Sequence, residues 1–211
     1  MMKKALIIFS MFFTILLFAA PALPVPYDLT IVFSNSINTP PPYAQITLTS
    51  TAGGVDFTLE NLTPMQLVGN IYTSKLMKFY FNYKGLASLS WSDPSGWDID
   101  YSPNNQQADG DGKFDFLIDA LNNNFLGTNQ TLNFTISGDN NLANFVDVSV
   151  PGGGQGVYYF AAHIGNLYDP AGNSAWVGSD GTPVPEPSTM LLLGSGLIGL
   201  VGYGRKKFFK K

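Results

Sequence analysis

Apolar and polar residues alternate with a period of two along the middle of the chain. Val55, Phe57 and Leu59 alternate with Asp56, Thr58 and Glu60, and Leu132, Phe134 and Ile136 alternate with Thr131, Asn133 and Thr135. Successive side chains of a strand point to opposite faces, so each segment reads as a strand with one buried and one solvated face. The same pattern predicts strands over Leu29 to Phe33, Tyr43 to Thr49, Leu76 to Tyr83, Leu86 to Trp91, Phe114 to Asp119, Phe145 to Val150 and Val157 to Ile164, separated by clusters of Gly, Pro, Asn and Asp. Sustained 3.6-residue periodicity is absent; the best helical candidate, Phe116 to Phe125, reads equally as a strand followed by an Asn-rich turn. About nine short strands with this spacing predict an all-β domain over residues 28–177, an antiparallel β-sandwich or jelly-roll. The lack of a fixed-period repeat sets solenoids and propellers aside.

The two ends break this pattern with long apolar runs. Met1 to Ala22 carries Lys3 and Lys4, then an apolar run from Ala5 to Ala20 interrupted only by Ser10 and Thr14, then the small-residue exit Ala20-Pro21-Ala22. These are the parts of a secretory signal peptide, expected over residues 1–22 and removed by signal peptidase near Ala22. Residues 23–27 then read as a linker. At the other end, residues 178–187 read as a Pro/Gly linker that includes Val184-Pro185-Glu186-Pro187. Ser188 and Thr189 follow, then the apolar run Met190 to Tyr203 and the basic tail with Arg205, Lys206 and Lys207. As a helix that run is about 21 Å long, short of a hydrocarbon core of about 30 Å, so residues 188–211 suit a transient membrane anchor with a basic stop.

The order Pro-Glu-Pro, Ser-Thr, short Gly-containing hydrophobic segment and Arg-Lys-Lys resembles the PEP-CTERM sorting signal, from Val184 to Lys207. The resemblance implies a Gram-negative bacterial protein exported through the Sec translocon and held transiently in the inner membrane. An exosortase would then recognise it and cleave it near Pro185-Glu186-Pro187. In that family the system accompanies exopolysaccharide. Ala108 to Asp115, Ala161-Ala162-His163 and Ser174 to Val177 are similar to a recurring ectodomain type among such proteins, which implies an architecture and an address rather than a reaction.

Composition narrows the chemistry. A length of 211 residues allows one domain of ordinary size with short appendages. With no Cys and a single His, His163, disulfide scaffolds, thiolate zinc sites, cysteine nucleophiles and multi-histidine metal centres are excluded by count. Between the ends, only Lys75, Lys78, Lys84 and Lys113 face fourteen carboxylates from Asp28 to Asp180. Such a field repels phosphate backbones and anionic lipid, so nucleic acid is not an expected partner.

Three sets of residues carry candidate chemistry. Asp109, Asp111 and Asp115 bracket an Asp-Gly-Asp-Gly loop able to offer several carboxylate oxygens to Ca²⁺. Counting from Asp109, however, the EF-hand pattern fails at Lys113, Phe114 and Ala120, and Asp-Gly pairs equally favour a hairpin turn. Trp91, Trp97 and Trp176 could form a sugar platform with Asp93, Asp98, Asp100, Tyr101, Asn104 and Asn105, with Trp97 expected to be exposed because Asp93 to Asp98 reads as a loop. His163 ends an apolar strand pattern and reads as a hydrogen-bonded strand residue; no Gly-x-Ser-x-Gly elbow accompanies it within the domain. The sequons Asn61-Leu62-Thr63, Asn129-Gln130-Thr131 and Asn133-Phe134-Thr135 read as accidents of an Asn/Thr-rich surface. The expectation is therefore an exported structural or adhesive protein associated with exopolysaccharide and not an enzyme. The alternatives are a Ca²⁺-dependent carbohydrate-binding module and, behind it, an Asp-based hydrolase.

Overall fold

The computed structural model describes residues 23–184, apart from residues 36, 38, 64–66, 69, 72–73, 110, 155 and 168–173. The signal peptide expected at residues 1–22 and the sorting helix and basic tail expected at residues 188–211 lie outside the described residues. The strands are β1 (Val25–Leu29), β2 (Ile31–Ser34), β3 (Ala44–Ser50), β4 (Gly54–Asn61), β5 (Leu67–Val68), β6 (Asn70–Ile71), β7 (Lys75–Phe81), β8 (Ser90–Trp91), β9 (Trp97–Gln107), β10 (Lys113–Ala120), β11 (Thr131–Ser137), β12 (Phe160–Gly165) and β13 (Ser174–Ser179). One 3-10 turn, Leu142–Phe145, interrupts them.

The two alternating segments pair with each other. β4 and β11 run antiparallel with Phe57 opposite Phe134 and Leu59 opposite Leu132, so every apolar residue of one lies beside an apolar residue of the other. They form the centre of a five-stranded sheet in the order β1-β3-β4-β11-β8. A six-stranded sheet in the order β2-β13-β12-β7-β10-β9 lies against it, and β5 and β6 make a small separate ribbon. All the strand pairings are antiparallel. The antiparallel β-sandwich is thus observed.

Aromatic rings join the sheets. Phe57 of the first sheet stacks on Phe134 at 4.8 Å and reaches Phe81 of the second sheet at 5.0 Å, while Phe81 stacks on Phe116 at 4.5 Å. Tyr27 meets Phe160 across the other end of the sandwich at 5.2 Å. Truncating one such fully buried ring costs about 3–5 kcal/mol, because the cavity closes only in part.

A buried polar network ties the connections at one end to this core. The Asn61 side-chain amide donates to Leu126 O at 2.8 Å and to Ser74 Oγ at 3.1 Å, and its carbonyl accepts from Thr63 N at 3.1 Å. Thr63 Oγ1 donates to Tyr43 O at 2.8 Å. Both Asn61 and Thr63 are buried, so the first sequon is a structural knot.

Several predicted boundaries are corrected. Strand structure begins at Val25 and continues to Ser179, beyond the expected limits of residues 28–177. The reason is that Tyr27 points into the core and Ser179 is buried, which neither expected linker allows. Within Leu86 to Trp91, only Ser90 and Trp91 pair, because Leu86 is fully exposed and has no facing strand. Phe145 to Val150 is not a strand: Asn141 Oδ1 accepts from Ala143 N at 3.2 Å and starts a 3-10 turn that drops Phe145 into the core. Phe116 to Phe125 resolves as strand to Ala120, followed by Asn122 and Asn123 at φ 52° and 62°, a conformation Asn tolerates better than most residues.

Candidate functional site

Because the inward residues of the six-stranded sheet fill the sandwich, their neighbours in sequence must face outward. On β12, Phe160, Ala162 and Ile164 belong to the inter-sheet core, which leaves Ala161 and His163 on the outer face; on β13, Ala175 and Val177 point in and Trp176 points out. A second small apolar cluster lies on that outer face, built from Tyr80, Ala108, Phe114, Tyr158 and Ala161 with Phe33, Leu117 and Trp176 packed against it.

Strand register assembles a row across this face. Trp176 stands opposite His163, His163 opposite Lys78, Lys78 opposite Asp119, and Asp119 opposite Asp98. The indole and imidazole rings stack with centroids 4.4 Å apart and planes 16° from parallel. Beside them Lys78 Nζ donates to Asp119 Oδ2 at 2.9 Å. About a third of each of these two side chains is exposed, so the pair contributes little to stability and stays accessible to a ligand. Tyr80 supports the indole at 5.7 Å, and Phe33, stacked on Tyr158 at 4.4 Å, flanks it at 6.4 Å. Gly178 makes room for Tyr158: a β-carbon there would come within 2.6 Å of the ring.

The electrostatics of the row follow from its packing. Burial lowers the His163 pKa, and the Lys78 ammonium lowers it further, against an upward pull from Asp109 and Asp119, so the imidazole is neutral at neutral pH. Burial and the nearby Asp119 carboxylate push the Tyr80 phenol well above its ordinary range. The row therefore offers an aromatic surface, a neutral ring nitrogen, an ammonium donor and a carboxylate acceptor in line. That combination suits a pyranose, whose C–H face packs on an aromatic ring while its hydroxyls reach donors and acceptors at the edge.

The other candidates fare differently. Trp97 is only 3% exposed, which corrects the expectation of an exposed platform. The loop ends earlier than its composition suggests: Trp97 N donates to Pro94 O at 2.9 Å and β9 begins there, with Trp97 and Ile99 inward and Asp98 and Asp100 outward. Trp91, on the opposite sheet, donates its indole N–H to Ile99 O at 3.1 Å, and Asp93 accepts from Ile99 N at 3.1 Å. The three tryptophans therefore do not form one platform.

Asp109, Asp111 and Asp115 are not brought together as one group. Asp115 is buried, and its two oxygens accept from Tyr83 N at 2.9 Å and from Asn104 N at 2.8 Å. Asp111 is buried against Gly154, while Asp109 is exposed at φ 48°. Asp111 N donates to Ala108 O at 2.9 Å and Ala108 N to Gly112 O at 3.2 Å, which makes the segment the tight connection between β9 and β10. Among the described residues no group of three or more His, Asp or Glu side chains could hold a metal ion.

The signal that His163 and Trp176 face outward was present in the parity of their neighbours. Their alignment with Lys78 and Asp119 depends on long-range register, which no local pattern encodes.

Of the sorting residues, Val184 is described, while Pro185, Glu186, Pro187, Ser188, Arg205, Lys206 and Lys207 lie outside the described residues. Residues 183–207 match the family model of the PEP-CTERM protein-sorting motif. The chain thus carries a sorting motif that marks it for export, membrane-anchored transit and exosortase processing. No curated protein and no solved structure matches the chain.

Proposed function

We propose that this chain, which carries a PEP-CTERM sorting motif, is a structural or adhesive protein of the cell envelope or extracellular matrix. It associates with exopolysaccharide through the outer face of its six-stranded sheet. The stacked pair His163 and Trp176, set beside the Lys78–Asp119 ion pair in one cross-strand row, carries this reading. Only Lys78 contributes an ammonium to the row, and the domain around it is strongly acidic, so electrostatics favour a neutral glycan over an acidic one. The role is one of attachment and not of catalysis. In support, the neutral stacked imidazole has no Gly-x-Ser-x-Gly nucleophile elbow in the domain sequence, and Asp115 is engaged by two backbone amides.

The test is retention of the mature protein on exopolysaccharide from the native cell, with Trp176→Ala as the comparison and sugar release followed in the same tubes. Retention of the parent, loss in the variant and no released sugar support the reading. Equal retention of both proteins removes the face from the account, and released sugar replaces adhesion with hydrolysis.

A further inference from the structure

The first two residues of the sorting motif, Pro183 and Val184, are part of the fold. β13 ends at Ser179, and the chain then turns through Asp180 to Thr182, with Gly181 at φ 77°, Gly181 N donating to Ser179 Oγ and Thr182 N donating to Asp180 Oδ1. The turn lays Pro183 antiparallel against Tyr27, and Val184 N donates to Pro26 O at 2.8 Å. β1 is the terminal strand of the five-stranded sheet, so Pro183 and Val184 take the edge that β3 does not use. Backbone groups at such an edge call for a partner, and Pro183 and Val184 supply one to Pro26 and Tyr27.

This pairing sets how far the domain stands from the membrane segment. From Val184 to Ser188 is four residues, about 14 Å at full extension. If Pro183 and Val184 peel away from β1, the tether runs from Ser179 and reaches about 31 Å. Pro185-Glu186-Pro187 lies wholly in the shorter tether. A membrane-embedded processing enzyme must fit its substrate groove between a folded domain and the bilayer, and a groove takes several residues of extended chain on each side of the cut bond.

We propose that the pairing of Pro26–Tyr27 with Pro183–Val184 is a clasp that restrains processing at Pro185-Glu186-Pro187, and that the clasp must open for cleavage to occur. This rests on the reading that the chain is an exosortase substrate. The same clasp joins the first strand after the signal peptide to the start of the sorting segment. Both membrane-proximal ends of the mature domain therefore leave from one side of the sandwich, and a chain whose β1 is not yet free to pair leaves its sorting segment open to the enzyme.

The absence of native cysteine makes a direct test clean. Pro26 and Val184 stand opposite each other in the register set by Tyr27 and Pro183, within disulfide reach for an antiparallel pair. The full chain carrying Pro26→Cys and Val184→Cys is followed by pulse-chase in cells that hold the exosortase, with and without a membrane-permeant reductant, beside the parent and Val184→Cys alone. The oxidised double variant is cleaved about tenfold more slowly or worse, since a disulfide closes the opening that a two-residue pairing permits. Reductant restores the rate of the single variant. Inserting Gly-Ser-Gly-Ser-Gly between Val184 and Pro185 of the oxidised double variant also restores it, because the tether is long again while the clasp stays shut. An oxidised double variant cleaved at the rate of the single variant overturns the clasp, as does a slow rate that neither reductant nor insertion relieves. A parent chain that is never cleaved overturns the sorting reading and the clasp with it.

Discussion

His163 and Trp176 lie directly opposite each other on β12 and β13 and stack with ring centroids 4.4 Å apart. The contact exposes a consequence of pH. Above the unfolded value near 6.5, the ring is neutral in both folded and unfolded chains. As the pH falls through that value, the unfolded chain takes up a proton that burial and Lys78 deny to the folded one, so stability falls and then levels off below the lowered folded pKa. Asp139 and Asp180 are also shifted, but downward from 3.8, so their contribution is present above the carboxylate range and is lost only under stronger acid. The melting temperature of the domain should therefore drop between pH 8 and pH 5, and His163→Gln should flatten that drop. An equal drop in the variant would place the proton elsewhere.

The tryptophans should separate by role. Trp97→Ala empties a buried site and should cost about 3–5 kcal/mol, lowering the melting temperature by several degrees or more. Trp176→Ala should cost less, since its ring is only half-buried, yet should abolish retention on glycan. Paired melts and retention assays decide this; glycan loss in a folded Trp97 variant with full retention in Trp176→Ala would reverse the assignment.

Asp115 should behave as a backbone clamp. Asp115→Ala leaves Tyr83 N and Asn104 N without an acceptor and should destabilise the domain by roughly 2–4 kcal/mol, measured by urea unfolding. Millimolar Ca²⁺ and chelator should give the parent domain equal melting temperatures. A Ca²⁺-specific rise that Mg²⁺ does not reproduce would restore the ion site at Asp109, Asp111 and Asp115.

Circular dichroism of the domain should show a β spectrum with under about 15% helix, as the alternation requires. A dominant helical signal would contradict the fold.

How much of this was legible from sequence follows the physics of each signal. β4 and β11 were plain because one face of each is apolar and the other polar, the case in which period two is cleanest. β9 was missed: after Trp97 and Ile99 its sequence runs Asp-Tyr-Ser-Pro-Asn-Asn-Gln-Gln, mostly exposed, and it is held by pairing with β10 rather than by an apolar face. β13 carries Gly178 and Ser179 where a strand pattern expects bulk, because Tyr158 covers Gly178. The tail's pairing with β1 was hidden by two prolines, Pro26 and Pro183, which read locally as linker but need only one donor between them, from Val184. The candidate face was half legible. Parity placed His163 and Trp176 outside, whereas their junction with Lys78 and Asp119 exists only once β7, β10, β12 and β13 are in register.

Export with processing at both ends is decided by fractionation of cells making this chain, with intact-mass measurement of the product. The expected result is a protein in the envelope or outside the cell, with its first residue near Leu23 and its last near Pro185-Glu186-Pro187. A full-length chain in the cytosol, still carrying Met1 and Lys211, would contradict it.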